Sequence, residues 1–428
     1  MIIITKNRSY RYLLYISNYL VQGIATLMIF TLLPIYLKNY KGLTDFSIAM
    51  IASLTFFPII LKPFIAIISD KYPFKVLGGR RKPYILIGFI MNGISLSFFG
   101  MTNPVEFIYI FIILGILQSL GISLMDVALD ALVIENFPDK KEKLNANIIF
   151  HLTIISSVFI VLPLAFISER ESVHIGINLT YQFEFDIFFG GNFEFGFLLA
   201  GLICIGLIIF SIFLKESEKI SSTQRFSIKD LRQYTKSEHV PTLLLIFFIT
   251  QIDTGLTDFT LDPFFRILGL TSGVQLISVS PMMIFIFLGG LASRWFIKKG
   301  IIKTILVVSV VHTTFYGVLS YLTFTNSLFI PLFYFSSGIL VSFSTSCATV
   351  LFLTLAMDSS DKKLAATTFV LFITMGNLGR IFGIILAGLL PFNIYPKMGI
   401  IFLISCIIMA SRIPLLIKIR RIENQTNF

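Results

Sequence analysis

Residues 106–134 read EFIYIFIILGILQSLGISLMDVALDALVI, an apolar run whose only charges after its first residue are Asp126 and Asp130. A helix needs about 20 apolar residues to cross roughly 30 Å of hydrocarbon, so this run is long enough to span a bilayer. Working outward, comparable runs lie at 12–37, 46–69, 83–101, 146–167, 195–214, 240–265, 274–297, 302–323, 328–356, 365–390 and 397–417. They use nearly all of the 428 residues. A chain that is 56% hydrophobic and 13% charged has too much apolar surface for the inside of a soluble globule, so lipid must solvate much of it. The expected fold is an all-α membrane protein of twelve transmembrane helices.

The formal net charge of +11 would suit nucleic acid only if the basic residues shared one solvated face or arm. They sit instead in short gaps between apolar runs, so no nucleic-acid partner is expected. Most of the 34 Lys and Arg fall in the N-terminal tail, the C-terminal tail and alternate loops. The opposite side carries Lys38, Lys41, Arg170, Arg266 and Lys397, and Lys62 and Arg380 lie inside spans. Positive residues stay cytoplasmic, which predicts both termini there in a multi-pass protein. Separately, the expectation is a plasma-membrane protein acting as a monomer. In this count Arg412 and the basic residues after it belong to the cytoplasmic tail. The first apolar run is too long for a signal peptide and is read as a permanent span. Cys204, Cys347 and Cys406 each lie within a different apolar run, which supports neither a disulfide nor a metal site.

The chain also repeats. Gln22 precedes Pro34 by twelve residues within Thr31-Leu-Leu-Pro34, and Gln251 precedes Pro263 by the same interval within Thr260-Leu-Asp-Pro263. Asp139-Lys-Lys141 after the fourth run is matched by Asp361-Lys-Lys363 after the tenth, and Ser69-Asp70 after the second by Ser293-Arg294 after the eighth. These matches imply a duplicated unit: an N-terminal six-helix bundle over 1–214, a cytoplasmic linker over 215–239 and a C-terminal bundle over 240–428, related by pseudo-symmetry. Phe226 to Tyr234 of the linker is expected to form an amphipathic surface helix. Duplicated bundles around a midplane site are how many secondary carriers alternate access.

The chemistry rests on ionisable residues within spans, because a charge in hydrocarbon costs several kcal/mol unless it faces a wet cavity or a partner. Lys62 is eight residues before Asp70, about 12 Å from that membrane face, and Asp126 is nine before Glu135 on a helix running the other way. Lys62 and Asp126 are therefore expected to pair at one depth, as are Arg380 and Asp253. Asp126 and Asp130 share one helix face, as do Asp258 and Asp262. Each pair also has a structural reading, since ion pairs between helices often only brace a bundle. Solvation near the outer surface accounts for Asp258 and Asp262, and a hydrogen-bonded bundle histidine accounts for His151. Lys62, Arg380, Asp253, Gln22 and Gln251 are the candidate substrate contacts. Asp126 and Asp130 are the candidate proton-coupling residues, a desolvated carboxylate being able to take up a proton. Asp130 and Glu135 are also expected within reach of Arg80 and Arg81. There is no Gly-x4-Gly-Lys-Ser/Thr stretch for ATP, no cofactor is expected, and neither a nucleophile nor a metal cluster supports an enzyme.

Two strings carry a resemblance. Pro58-Ile-Ile-Leu-Lys62-Pro63-Phe64 leads to Ser69-Asp70 and then to Leu77-Gly-Gly79-Arg80-Arg81-Lys-Pro-Tyr84, while Met125-Asp126-Val-Ala-Leu-Asp130-Ala131 runs on to Glu135. Together they resemble the folate-biopterin transporter family of the major facilitator superfamily. The resemblance implies a gating role for Asp70, Gly79, Arg80, Arg81 and Glu135, and membrane-embedded charges at Lys62, Asp126 and Asp130. It implies a proton-coupled carrier of a small anionic solute of pterin or folate type. Muropeptide permeases and acetyl-CoA carriers share the embedded Lys and the Asp-x3-Asp-Ala run. A carrier of muropeptide, sugar or a nucleotide-like compound therefore stays open, as does a non-transporting assembly factor on the same fold. Arg294 stands where a symmetric second latch would have an Asp.

Overall fold

The computed structural model describes residues 2–3, 7–33, 36–37, 41–43, 45–71, 79, 81–136, 139–161, 193–216, 228–237, 239–267, 272–361, 364–388 and 395–426. Arg80, Pro34 and most of the 168–194 connection lie outside them, as do the side chains of Asp258, Asp262 and Pro263.

The order of elements is helical almost throughout. A two-residue strand β1 (Ile2–Ile3) is followed by α1 (Arg8–Leu27), which widens into a π-helical segment at Met28–Leu32 within the stretch leading to Thr31-Leu-Leu-Pro34. Then come α2 (Asp45–Ile60), α3 (Lys62–Lys71), α4 (Lys82–Phe99), α5 (Ile108–Asn136), α6 (Lys140–Ser156), α7 (Phe193–Leu207) and α8 (Ile209–Ile212). Strand β2 (Leu214–Lys215) pairs in parallel with β1. The short α9 (Ile228–Thr235) leads to α10 (Val240–Ile267), α11 (Ser272–Phe296), α12 (Ile301–Phe324), α13 (Ile330–Ser359), α14 (Ala365–Gly388) and α15 (Tyr395–Thr426). Among the described residues nine helices are long and apolar enough to cross a membrane. Helices over 8–33, 45–71 and 272–296 stand at the first, second and eighth predicted positions.

The chain forms two compact units, Met1–Phe226 with Lys362–Val370, and Ser227–Asp361 with Leu371–Phe428. The first turns of α14 thus belong with the first unit. In that unit Ile65 and Ala66 of α3 and Val127 and Ala131 of α5 pack with Ala366 and Val370. In the second, α12 packs along α15, and Phe315, Tyr316, Tyr334 and Phe402 belong to its buried core cluster.

The distribution of polarity is that of a protein solvated by lipid. On α4 the exposed stripe is Ile87, Ile90, Ile94 and Phe98, at helical spacing, while the buried face carries Gly88, Asn92, Gly93 and Ser95. Lipid tails are as apolar as Ile, so helices gain most by turning small and hydrogen-bonding residues toward each other. Asn92 donates to the Gly88 carbonyl at 2.8 Å, and an added Cβ at Gly88 would strike the Met125 side chain and the Gly121 carbonyl. In the second unit Gly379 and Gly383 of α14 lie against the carbonyls of Phe248 and Ile252 on α10.

The second span is continuous in the sequence reading but broken in the structure. Pro58 lies inside α2, and Pro63 is the second residue of α3. Pro63 has no N–H to offer Ile59, and its ring crowds that carbonyl, so the helix stops at Ile60 and restarts after Leu61. Lys62 becomes the first residue of the new helix.

Gly379→Leu should lower thermal stability by several degrees, since the new side chain meets backbone that cannot yield. Gly206→Leu, at a position with open space around it, should leave the unfolding temperature of the detergent-purified protein nearly unchanged.

Candidate functional site

The break places Lys62 at the N-terminal, positive end of a half-helix, inside the apolar run. Its Nζ lies 2.5 Å from Oδ2 of Asp126 on α5. The other oxygen of Asp126 accepts a hydrogen bond from Nε2 of Gln22 at 3.2 Å. One turn along α5, Asp130 accepts from the Tyr19 hydroxyl at 3.5 Å and feels the charges of both Asp126 and Lys62. Tyr19 and Gln22 share a face of α1, and the Tyr19 ring is braced edge-on by Phe150 of α6. Lys62, Asp126 and Asp130 are 5%, 7% and 7% exposed. One ammonium therefore faces two carboxylates in a buried space, and a third participant, a proton or another cation, is needed for neutrality. Asp130 lies one turn from Asp126 on the face their spacing predicts, and the groups described around it are Tyr19, Asp126 and Lys62.

The turn before α4 is a second charged cluster. Arg81 is fully buried; its Nη2 donates to Asp70 at 2.5 Å and to Glu135 at 2.7 Å, and its Nη1 donates to Ser69 Oγ at 2.6 Å. Burial alone would disfavour the guanidinium charge, but Glu135 and Asp70 outweigh it and hold the group protonated beyond its ordinary range. The second oxygen of Asp70 accepts from the backbone N–H and hydroxyl of Thr367, at 3.3 and 2.8 Å, in the first turn of α14. Sequence reasoning missed Glu216, which follows β2. Its carboxylate caps α4 by accepting the backbone N–H groups of Arg81 and Lys82, both at 2.8 Å, while Lys82 Nζ donates to the Ile212 carbonyl. A Cβ at Gly79 would fall on that carboxylate, which explains why glycine stands there. In the sequence Glu216 is one charge in a mixed linker, and nothing in its spacing marks it out.

In the second unit Asp253 is 4% exposed on α10, and Gln251 is half-buried, packed near Gly376 of α14. Arg380 is half-buried on α14, with its backbone carbonyl against Gly255. A further cation acts on Asp253 that sequence reasoning missed. Arg412, placed in the cytoplasmic tail by the charge count, lies within α15, which continues to Thr426, and is 1% exposed. Its Nε donates to Ser309 at 2.9 Å and its Nη1 to Thr250 at 3.1 Å; its guanidinium lies over the Phe352 ring, and Asp253 attracts it electrostatically. Of the described residues, no group of three or more His, Cys, Asp or Glu is arranged to hold a metal ion.

The family model of the Major Facilitator Superfamily matches residues 15–384. The chain belongs to the major facilitator superfamily. It is a multi-pass membrane transporter, and not an enzyme. A Rickettsia conorii protein named putative transporter AmpG 4 is 24% identical over 322 residues, covering 69% of this chain and 71% of that one. A probable folate-biopterin transporter 4 of Arabidopsis thaliana is 30% identical over 119 residues, 27% of this chain and 23% of the relative's length. The solved structure of a bacterial homologue of the iron transporter ferroportin superposes with a TM-score of 0.72 at 12% identity, over 96% of this chain and 99% of that one. That likeness bears on the fold, and the superfamily transporter fold is what the described helices form.

Arg81→Ala removes the cation shared by the buried Asp70 and the partly buried Glu135. Its loss should lower stability by about 3–5 kcal/mol, the usual cost of breaking a buried pair. Thermal unfolding of the purified variant should show the drop, and the added substitution Glu135→Gln should recover part of it.

Proposed function

We propose that this transporter is a proton-coupled secondary carrier of a small organic anion of pterin or folate type, working by alternating access. The single observation that supports the reading most is the Lys62–Asp126 pair at the start of α3, with Asp130 one turn away. A carboxylate released from its ammonium gains affinity for a proton, and the ammonium released from its carboxylate gains affinity for an anion. Proton and anion then bind together with little net charge moved into the low-dielectric interior. Gln22 and Tyr19 position the two carboxylates, and the Arg81 cluster serves as the gate on one side. Arg380 and Gln251 are proposed to meet the solute from the second unit. We further propose that the carrier works as a monomer in the plasma membrane with both termini in the cytoplasm, the basic loops being the support for that orientation.

The pterin or folate class draws on the resemblance of the Lys62 and Asp126 strings and on the name of the Arabidopsis relative. A second reading, another organic anion such as a muropeptide, is favoured by the longer match to the protein named AmpG.

Reconstituted in liposomes, the protein should accumulate labelled folate or pterin when the outside is acid, and less as the gradient is dissipated. Lys62→Ala should reduce uptake about a hundredfold, the scale of losing one partner of a buried charge pair, while still purifying as a folded species. Full transport by Lys62→Ala would remove the residue from the mechanism. Accumulation of muropeptide but not of folate or pterin would establish the second reading.

A further inference from the structure

We propose that Asp253 is a proton-carrying carboxylate of the second unit, reached through a partly open cavity and the hydroxyl of Tyr316, with Arg412 as its positioning cation. The inference rests on the reading of the chain as a proton-coupled carrier and adds a second proton site to it.

The cavity has a volume of about 110 Å³, and its mainly apolar lining of Met282, Phe315, Leu319, Val341 and Phe402 is interrupted by the hydroxyls of Thr257, Tyr316, Tyr334 and Ser342. At about 30 Å³ per water in the liquid, it has room for a water held at the hydroxyl-bearing side. Tyr316 joins this space to the carboxylate: it lines the cavity, and its hydroxyl is hydrogen-bonded to Asp253. Thr257 in turn donates to the Asp253 backbone carbonyl at 2.8 Å, which fixes the turn of α10 that carries both. Beyond Asp253 lies Arg412. Two of its nitrogens are used on the neutral hydroxyls of Ser309 and Thr250, and its buried Nη2 has no hydrogen-bond partner among the described residues. The buried guanidinium, attracted electrostatically by Asp253, thus has a donor to spare for a water or an anion.

Arg412 on α15 and Tyr316 on α12 interact with Asp253; Tyr334 on α13 acts on Tyr316, Arg412 acts on His312 of α12, and the Arg380 backbone carbonyl of α14 lies against Gly255, two residues along α10. His312 is engaged with the hydroxyls of Ser344 at 3.1 Å and Thr345 at 3.2 Å. The transfer balances simply. A hydronium in the cavity gives a proton to the Tyr316 oxygen as the Tyr316 hydroxyl proton passes to the Asp253 carboxylate. One O–H bond breaks on the hydronium, one forms on Asp253, and the tyrosine is restored. Arg412 is then left without its counter-charge, and an anion bound in its field completes the exchange.

Infrared difference spectra between acid and alkaline buffer, recorded on the full-length protein in lipid without solute, test the site directly. A protonated-carboxyl band should appear in acid and be missing from Asp253→Asn. After a pH jump Tyr316→Phe should form the band roughly tenfold more slowly or worse, as expected for loss of a proton-transfer group. Spectra of Asp253→Asn that match the wild type, or Tyr316→Phe titrating at the wild-type rate, would overturn the proposal. In liposomes loaded with a pH-sensitive dye, the ratio of protons to folate moved should fall in Asp253→Asn, and an unchanged ratio would also overturn it. A wild-type protein that moves no folate argues against the solute proposed above, while the infrared measurement still decides Asp253.

Discussion

The ammonium of Lys62, held 2.5 Å from Asp126 within an apolar bundle, is the constraint around which the first unit is organised. Neither charge is tolerated there alone, since an uncompensated buried charge costs several kcal/mol. The Pro63 break that ends α2 turns the positive end of α3 toward the same place, and α1 contributes Gln22 and Tyr19 to the carboxylates facing it. A straight, all-apolar bundle would be easier to stabilise in lipid. Retaining a broken helix, one cation and two carboxylates makes physical sense if charge has to be exchanged at this point, which is the carrier reading.

The Arg81 cluster follows a different logic. Its guanidinium is shared between Asp70 and Glu135, and Glu216 caps α4 from the other side, so all of its members hold one another in place. Asp70 also binds the first turn of α14, which belongs with the first unit even though the rest of that helix does not. The start of this helix is fixed by hydrogen bonds from Thr367 to Asp70.

Much of this was legible in the chain itself. Apolar runs gave the helices, because crossing hydrocarbon leaves the backbone no alternative, and depth counting from Asp70 and Glu135 brought Lys62 level with Asp126. What failed to show has physical causes. The break at Leu61 lies between two prolines that a hydropathy reading passes over. Glu216 acts through its carboxylate on backbone N–H groups far away in sequence, a contact that no local pattern announces. Arg412 was misplaced because an arginine five residues before the expected end of an apolar run looks like a membrane-face anchor, whereas the helix continues to Thr426 and hydroxyls on α10 and α12 enclose the guanidinium. The second unit thus holds its own buried aspartate and buried cation.

The most direct measurement is proton uptake on solute binding, obtained by calorimetry of folate binding to the purified transporter in buffers of different ionisation enthalpy. Exchange at Lys62 predicts that protons are taken up with folate, and that fewer are taken up when Asp126 and Asp130 are both replaced by Asn. Folate binding that is independent of the buffer, with no proton taken up by the wild-type protein, would contradict it.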